Sequence, residues 1–296
     1  MKTRKDALLC GLLGLFLSAA PLFGQVITSD LELWFRADAG VTVDGSGTNV
    51  TNWADQSVNG NDARQTPLTP ANQPDLVANA INGLPALHFD GASDFLIATN
   101  NTVDLTSGLS IFIIAKNNVR KTYNGLFKLG PSNTALTATA DLELYWHNAP
   151  PGSGSGHLIY AANGSPGPLA FKQVNNAPPA AGNYYLYDVI VPNSSTVTQR
   201  INGVALAPTT SFGSQFLPLA ASYAAIGVGY GGGSGDSASS LNGEIAEIVV
   251  YSAALTDAQR NQVAGTLADK YGLSIPEPGT AMLAMLGAIV LLWRRR

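Results

Sequence analysis

The sequence is poor in cysteine and in charge. Cys10 is the only cysteine in 296 residues, and charged residues make up 12% of the chain. Because Cys10 lies in an N-terminal stretch that we expect to be removed, the mature chain has no thiol for a disulfide bond. We therefore expect the protein to be stabilised by its hydrophobic core alone.

Basic residues are especially scarce in the body of the chain. Residues 25–275 contain 10 Lys and Arg against 18 Asp and Glu, a net formal charge of −8. Nucleic acids and anionic lipid surfaces are bound by positive protein surfaces. The composition therefore argues against nucleic-acid partners and against electrostatic docking on membranes.

Recognisable catalytic patterns are also missing. The sequence has no Gly-x-Ser-x-Gly nucleophile elbow. Retaining glycosidases need two carboxylates about 5–5.5 Å apart. Asp141 and Glu143 lack the third acid of the glucanase pattern, and strand alternation predicts that Glu244 and Glu247 point to opposite faces. A polysaccharide hydrolase is therefore a less favoured alternative.

The N-terminus has the three parts of a secretory signal. A positive segment with Lys2, Arg4 and Lys5 precedes the apolar run Ala7–Ala20, and a small-residue cleavage site lies at the end of that run or at Gly24. The apolar run is shorter than the ~20 residues of a membrane span. We predict a signal peptide over residues 1–24, which directs export through the Sec translocon.

The C-terminus combines a proline-rich motif, an apolar run over Thr280–Trp293 and a basic cluster. This order resembles the PEP-CTERM sorting signal of Gram-negative bacteria. The resemblance implies that exosortase, a membrane cysteine transpeptidase, removes a tail over residues 275–296 after an inner-membrane intermediate. A plain membrane anchor is the alternative. The motif residues are Pro276, Glu277, Pro278, Arg294, Arg295 and Arg296.

The body of the chain reads as short strands separated by turns. Leu31–Arg36 alternates, Leu109–Lys116 and Ile245–Tyr251 are apolar runs, and Asn202-Gly203 is a hairpin signal. The Gly- and Asn-rich stretch Ala39–Thr51 is predicted to be a loop. A capping box and helical apolar spacing after residue 255 predict one terminal amphipathic helix.

Three segments resemble the laminin-G-like, concanavalin A-like jelly-roll family: GLPALHFDGASDFL from residue 83, RINGVAL from residue 200, and NGEIAEIVVYSAALTDAQ from residue 242. The resemblance implies an all-β jelly-roll β-sandwich with one C-terminal amphipathic helix, a single domain over residues 25–274. It also implies a possible Ca²⁺ site, because many relatives bind Ca²⁺ at a loop rim. It does not define a ligand.

Loop aromatics and loop acids are the candidate binding residues. Aromatic rings can stack on sugars, whereas Trp34 alternates with apolar neighbours and is expected to pack inside. Carboxylates are the oxygen ligands that Ca²⁺ prefers. The predicted sugar-binding residues are Trp53, Trp146 and Tyr230. The predicted Ca²⁺ ligands are Asp55, Asp62, Asp90 and Asp94.

Together these features predict an exported cell-surface or extracellular-matrix protein with a non-catalytic binding domain. The predicted ligand is a glycan or exopolysaccharide. A structural or adhesive protein that binds other proteins is the alternative. The same composition fits either, because neither needs a reaction centre.

Overall fold

The computed structural model describes most of the body and the first two residues of the predicted tail, and the predicted signal peptide lies outside the described residues. The described residues are 26–65, 69–104, 106–119, 121, 123–130, 142–147, 157–162, 170–172, 179–192, 197–206, 220–228 and 240–276. The structural statements below concern these residues.

The chain folds into strands and one C-terminal helix. The strands are β1 Leu31–Arg36, β2 Val41–Val43, β3 Val50–Trp53, β4 Ala63–Arg64, β5 Asp75–Ile81, β6 Leu84–Asp90, β7 Leu96–Asp104, β8 Leu109–Asn117, β9 Tyr123–Gly130, β10 Leu142–His147, β11 His157–Ala162, β12 Ala170–Lys172, β13 Tyr184–Val191, β14 Thr198–Ile201, β15 Val204–Ala205, β16 Ala220–Ile226 and β17 Asn242–Tyr251. The helix α1 is Asp257–Tyr271, and a short 3₁₀ helix covers Pro70–Asn72.

The strands form two antiparallel sheets. The eight-stranded sheet has the order β15-β14-β13-β8-β17-β6-β5, and β1 pairs with β17 beyond the end of β6. The nine-stranded sheet has the order β12-β11-β10-β9-β16-β7-β4-β3-β2. The prediction of a loop over Ala39–Thr51 is wrong in part, because β2 and the start of β3 pair there as a hairpin at the edge of the sheet.

The main core lies between the two sheets. Leu33 and Phe35 of β1 point into it, while Glu32, Trp34 and Arg36 alternate outward. The prediction that Trp34 packs inside the sandwich is therefore wrong. It is half-buried on the outer face of the eight-stranded sheet.

A second apolar cluster lies between α1 and the outer face of the eight-stranded sheet. Val263, Leu267 and Tyr271 of the helix are buried against it. Burial of each such side chain contributes about 1.5–3 kcal/mol. The two sheets and one terminal helix confirm the predicted all-β sandwich.

Both ends of α1 are capped as the sequence predicted. The Thr256 hydroxyl accepts from the Gln259 backbone N–H, and the Gln259 side chain accepts from the Thr256 N–H, which completes a capping box. At the other end Gly272 adopts φ 64°, the left-handed conformation that glycine tolerates best. In the described part of the chain, no helix has the length and apolar character of a membrane span.

Candidate functional site

The two predicted stacking tryptophans that the structure describes are core residues. Trp53 has no exposed surface, its indole N–H donates to the Arg36 carbonyl at 2.8 Å, and its ring packs on Phe35. Trp146 is 5% exposed and meets the Tyr187 ring edge-on at 5.0 Å. Because strand alternation turns both rings into the sandwich, the predicted stacking role is wrong for them. Tyr230 lies outside the described residues.

Asp55 and Asp62, two of the predicted Ca²⁺ ligands, organise the turn after β3. Asp55 accepts the backbone N–H groups of Trp34, Ser57 and Asn61 at 2.9–3.0 Å. Asp62 accepts the N–H of Asp55 itself at 3.0 Å. These carboxylates therefore satisfy loop amides and fix the turn against β1.

Asp90 and Asp94, the other two predicted Ca²⁺ ligands, form a separate turn after β6. Asp90 accepts from the N–H groups of Ala92 and Ser93, and its own N–H donates to Asp94 at 2.8 Å. Within the described ranges, no group of three or more His, Cys, Asp or Glu side chains could hold a metal ion. The four predicted ligands therefore do not form one site in that part of the protein.

The Asp90–Asp94 turn is joined to neighbouring segments at one end of the sandwich. The Lys121 ammonium donates to the Gly91 carbonyl and lies 3.3 Å from the Ser240 carbonyl. The Asn242 amide donates to the Asp90 carbonyl at 2.8 Å. We call Asp90–Asp94, Lys121 and Ser240–Asn242 the rim.

The rim also holds both ends of the segment that carries Tyr230. Val228 and Ser240 pair across that segment as an isolated bridge, and the Ser240 hydroxyl donates to the Ala92 carbonyl at 3.4 Å. The structure therefore brings two of the predicted acids, Asp90 and Asp94, to the same rim as the base of the Tyr230 segment. Asn242 and Lys121 were missed from the sequence, which has no signal for their pairing with a turn that lies far along the chain.

Asp94 has an unusual environment within the rim. Its side chain is 5% exposed. Burial raises the pKa of Asp94 to about 7, and the neighbouring carboxylates of Asp90 and Asp75 add to this effect. Perturbed carboxyl groups of this kind are more frequent at functional sites than elsewhere. The rim thus offers backbone carbonyls, a lysine, an asparagine and a carboxyl group that titrates near neutral pH.

A row of polar residues crosses the eight-stranded sheet directly beside the rim. His88 of β6, Glu244 of β17, Lys116 of β8 and Tyr184 of β13 are register partners along this row. Lys116 lies 2.6 Å from the Glu244 carboxylate, and the Tyr184 hydroxyl donates to its other oxygen. Burial, and then the Glu244 carboxylate, raise the pKa of Tyr184. Glu244 is therefore held by a cation and a phenol.

Glu247 lies on the same face as Glu244, contrary to the sequence prediction. A β-bulge between Ile245 and Glu247 shifts the register against β8, so that two successive residues project outward. Alternation alone cannot reveal an inserted residue of this kind.

Glu247 is the centre of a buried network under the end of α1. Lys270 lies 2.5 Å from its carboxylate, and the Tyr271 hydroxyl and the Trp34 indole N–H donate to it at 2.8 and 2.6 Å. Lys270 also lies 3.0 Å from Asp38. We call Glu247, Lys270, Tyr271, Trp34 and Asp38 the helix junction. Both carboxylate oxygens of Glu247 have hydrogen-bond or ion-pair partners, which indicates a structural role.

Glu143, the described member of the other acidic pair, is also held by a lysine. It lies on the outer face of the nine-stranded sheet, opposite Lys128 of β9, whose ammonium is 3.0 Å away. Asp141 lies outside the described residues. Glu143, Glu244 and Glu247 are thus each paired with a lysine.

Comparison with known proteins assigns the C-terminus. Residues 274–296 match the family described as the PEP-CTERM protein-sorting motif. The chain therefore carries this motif, as the order of proline motif, apolar run and arginines predicted. The motif indicates an exported surface protein that exosortase sorts and processes, and it implies a C-terminal membrane anchor. No curated protein matches the sequence.

Solved structures resemble the sandwich. Domain 4 of AbnA, a GH43 extracellular arabinanase from Geobacillus stearothermophilus in complex with arabinotriose, matches with a TM-score of 0.55 and 17% identity, over 81% of this chain and 99% of that domain. Trypanosoma rangeli sialidase in complex with sialic acid matches with a TM-score of 0.51 and 13% identity, over 83% of this chain and 34% of the sialidase.

A third structure extends the likeness to a binding domain. The binding domain of Paraclostridial Mosquitocidal Protein 1 matches with a TM-score of 0.52 and 11% identity, over 80% of this chain and 52% of that chain. The chain thus spans about a third of the sialidase and about half of the binding domain. At such identities the likeness shows the fold alone, and it confirms the jelly-roll sandwich.

Proposed function

We propose that this chain is a surface protein whose jelly-roll domain binds a glycan at the rim without cleaving it. The observation that carries the proposal is the PEP-CTERM match on a sandwich whose counterpart, domain 4 of AbnA, was solved with arabinotriose. A surface protein of this fold can act by presenting a ligand surface, without a reaction centre.

The proposed route has three parts. A signal peptide over residues 1–24 passes the chain through the Sec translocon of a Gram-negative bacterium. The jelly-roll domain over residues 25–274 folds outside, while the tail over residues 275–296 stays anchored in the inner membrane. Exosortase then removes the tail and releases the domain to the surface or the extracellular matrix.

The chemistry of the rim supports an uncharged or weakly charged sugar as ligand. Asp90 and Asn242 supply hydrogen-bonding groups, and the predicted Tyr230 ring supplies a stacking surface. Because Asp94 is partly protonated near neutral pH, its carboxyl group can donate as well as accept a hydrogen bond. Sugar hydroxyls need partners of both kinds.

The arrangement of acids supports binding rather than hydrolysis. Glycosidases need one carboxyl group as acid and a second as base or nucleophile across the scissile bond. Glu143, Glu244 and Glu247 are each held by a lysine at 2.5–3.0 Å. A lysine at this distance occupies an oxygen of the carboxylate, so none of the three groups is free to face a second acid across a scissile bond.

Glycan-array binding of the purified domain over residues 25–274 tests the proposal. We expect Tyr230→Ala to lose most of the binding and Tyr230→Phe, which keeps the ring, to retain it. Binding to no glycan on the array would contradict the proposal, and a protein partner captured by the same domain would favour an adhesive role. Shortened products from a bound polysaccharide would revive the hydrolase alternative.

A further inference from the structure

The folded domain continues to Pro276, the first residue of the Pro-Glu-Pro segment. After Gly272 ends α1, Leu273 and Ile275 pack half-buried against the outer cluster of the eight-stranded sheet. Pro276 then lies against the turn between β14 and β15. A Cβ atom at Gly203 in that turn would be 3.2 Å from the Pro276 ring. No long linker therefore separates the folded domain from the tail.

The distance from this point to the apolar run is short. Three residues separate Pro276 from Thr280, where the apolar run begins. At about 3.3–3.6 Å per residue, four steps reach about 14 Å at full extension. The headgroup layer on one side of a bilayer takes roughly 5–8 Å of this. While the tail is anchored, the surface around Pro276 must therefore stay close to the lipid headgroups.

The β14–β15 turn presents an apolar tip at this place. Asn202 and Gly203 have φ values of 48° and 75°, the conformation of a tight two-residue turn. The next residue, Val204, is 57% exposed, which makes it one of three exposed large apolar side chains among the described residues. Ala205 is exposed as well. Exposed apolar residues that directly follow a polar turn suit the boundary between headgroups and acyl chains.

We propose that the β14–β15 turn is a membrane-contacting tip that rests on the lipid interface while the C-terminal tail is anchored. The occupant of this surface is the bilayer that holds the tail. Because the body of the chain is acidic, the contact depends on the tether rather than on charge. The inference rests on the anchored intermediate in the proposed function.

Site-specific labelling of the full chain tests this proposal. On a Cys10→Ser background, a thiol introduced by Val204→Cys carries an environment-sensitive fluorophore, and Val58→Cys is the matched control. Val58 is 99% exposed in the turn that Asn59 ties to Leu31 and Glu32. Leu31 pairs with Tyr251, at the end of β17 away from Glu244. The probe membrane is a phosphatidylethanolamine–phosphatidylglycerol vesicle with nitroxide-labelled lipids.

We expect at least threefold stronger quenching at position 204 than at position 58. Inserting 20 Gly and Ser residues between Ile275 and Pro276 should remove the difference, because the domain is then free to leave the interface. Equal quenching at both positions on protein that floats with the vesicles would overturn the contact but not the anchor. Failure to float would contradict the anchored intermediate, and the contact with it.

Discussion

The helix junction and the rim each contain a buried carboxylate beside the eight-stranded sheet, but the two carboxylates have different partners. Glu247 receives a lysine, a phenol and an indole N–H within 2.8 Å. The Asp94 carboxylate accepts one backbone N–H, and burial, followed by its acidic neighbours, raises its pKa to about 7. The first arrangement stabilises the fold, whereas the second lowers stability at neutral pH. A carboxyl group that lowers the stability of the fold, as Asp94 does at neutral pH, is a candidate for a role in binding.

The largest expected effect is at the helix junction. Glu247→Ala should lower the free energy of unfolding by about 3–5 kcal/mol, because it leaves Lys270 buried beside Asp38 alone. Glu244→Ala is the matched control on the same strand and face. The Glu244–Lys116 pair is more exposed, so this loss should be smaller, about 1 kcal/mol. Equal losses in urea denaturation would contradict a special role for the junction.

Asp94→Asn should act in the opposite direction and depend on pH. The native pKa is about 7 against 3.8 for the free side chain, so the native state binds more protons than the unfolded state between these values. The stability of the wild type should therefore fall as pH rises from about 4 to 7. At pH 8 the free energy of unfolding of the variant should exceed that of the wild type by on the order of 1–2 kcal/mol, which corresponds to a melting temperature a few degrees higher.

Near pH 4 the melting temperatures of the Asp94→Asn variant and the wild type should converge, because the carboxyl group is then protonated in the native state and roughly half protonated in the unfolded state, so little of the penalty for ionisation remains. Asp269→Asn, at an exposed helical position, controls for the loss of a charge. Melting curves from pH 4 to 8 provide the measurement. A stability difference that is constant across this range would refute the environment assigned to Asp94.

The cap of α1 should give a moderate effect that leaves the rim unchanged. Thr256→Ala removes the side-chain acceptor for the Gln259 N–H and should cost about 1 kcal/mol. Thr256→Ser keeps the hydroxyl and should cost a few tenths of that amount. If Thr256→Ala changed glycan binding while the protein was still fully folded, the claim that the helix cap and the rim act independently would be wrong.

Chelation should give the smallest effect. The Asp55 and Asp62 carboxylates accept backbone N–H groups, so EDTA should change the melting temperature by less than about 1 °C, roughly 0.3 kcal/mol for a domain of this size. Addition of millimolar Ca²⁺ after chelation is the control. A melting temperature that falls with EDTA and returns with Ca²⁺ would indicate a metal site.

Much of the fold could be predicted because its strongest signals are local. The capping box at Thr256, the apolar run of β17 and the Asn202-Gly203 turn each depend on a few adjacent residues. Asn82-Gly83 carries the same turn signal, with φ values of 48° and 77°, and would have revealed the β5–β6 hairpin. This hairpin signal is as local as the one at Asn202-Gly203.

The candidate site was harder to predict because it depends on registers between distant strands. LELYWH alternates, so Trp146 could equally face the core or the solvent, and the pairing of β10 with its neighbours decides for the core. The bulge at Glu247 and the pairing of Asn242 with Asp90 leave no mark in the local sequence. Tertiary pairing, rather than residue type, sets these positions.

An NMR titration of the isotope-labelled domain with the glycan selected on the array tests the central claim most directly. We predict that amide signals of the rim, from Asp90 to Asp94 and at Ser240 and Asn242, shift on binding. Signals of Glu247 and Lys270 should stay in place, and no new reducing-end signals should appear. Shifts confined to the helix junction, or signals of a cleaved sugar, would contradict a non-catalytic glycan site at the rim.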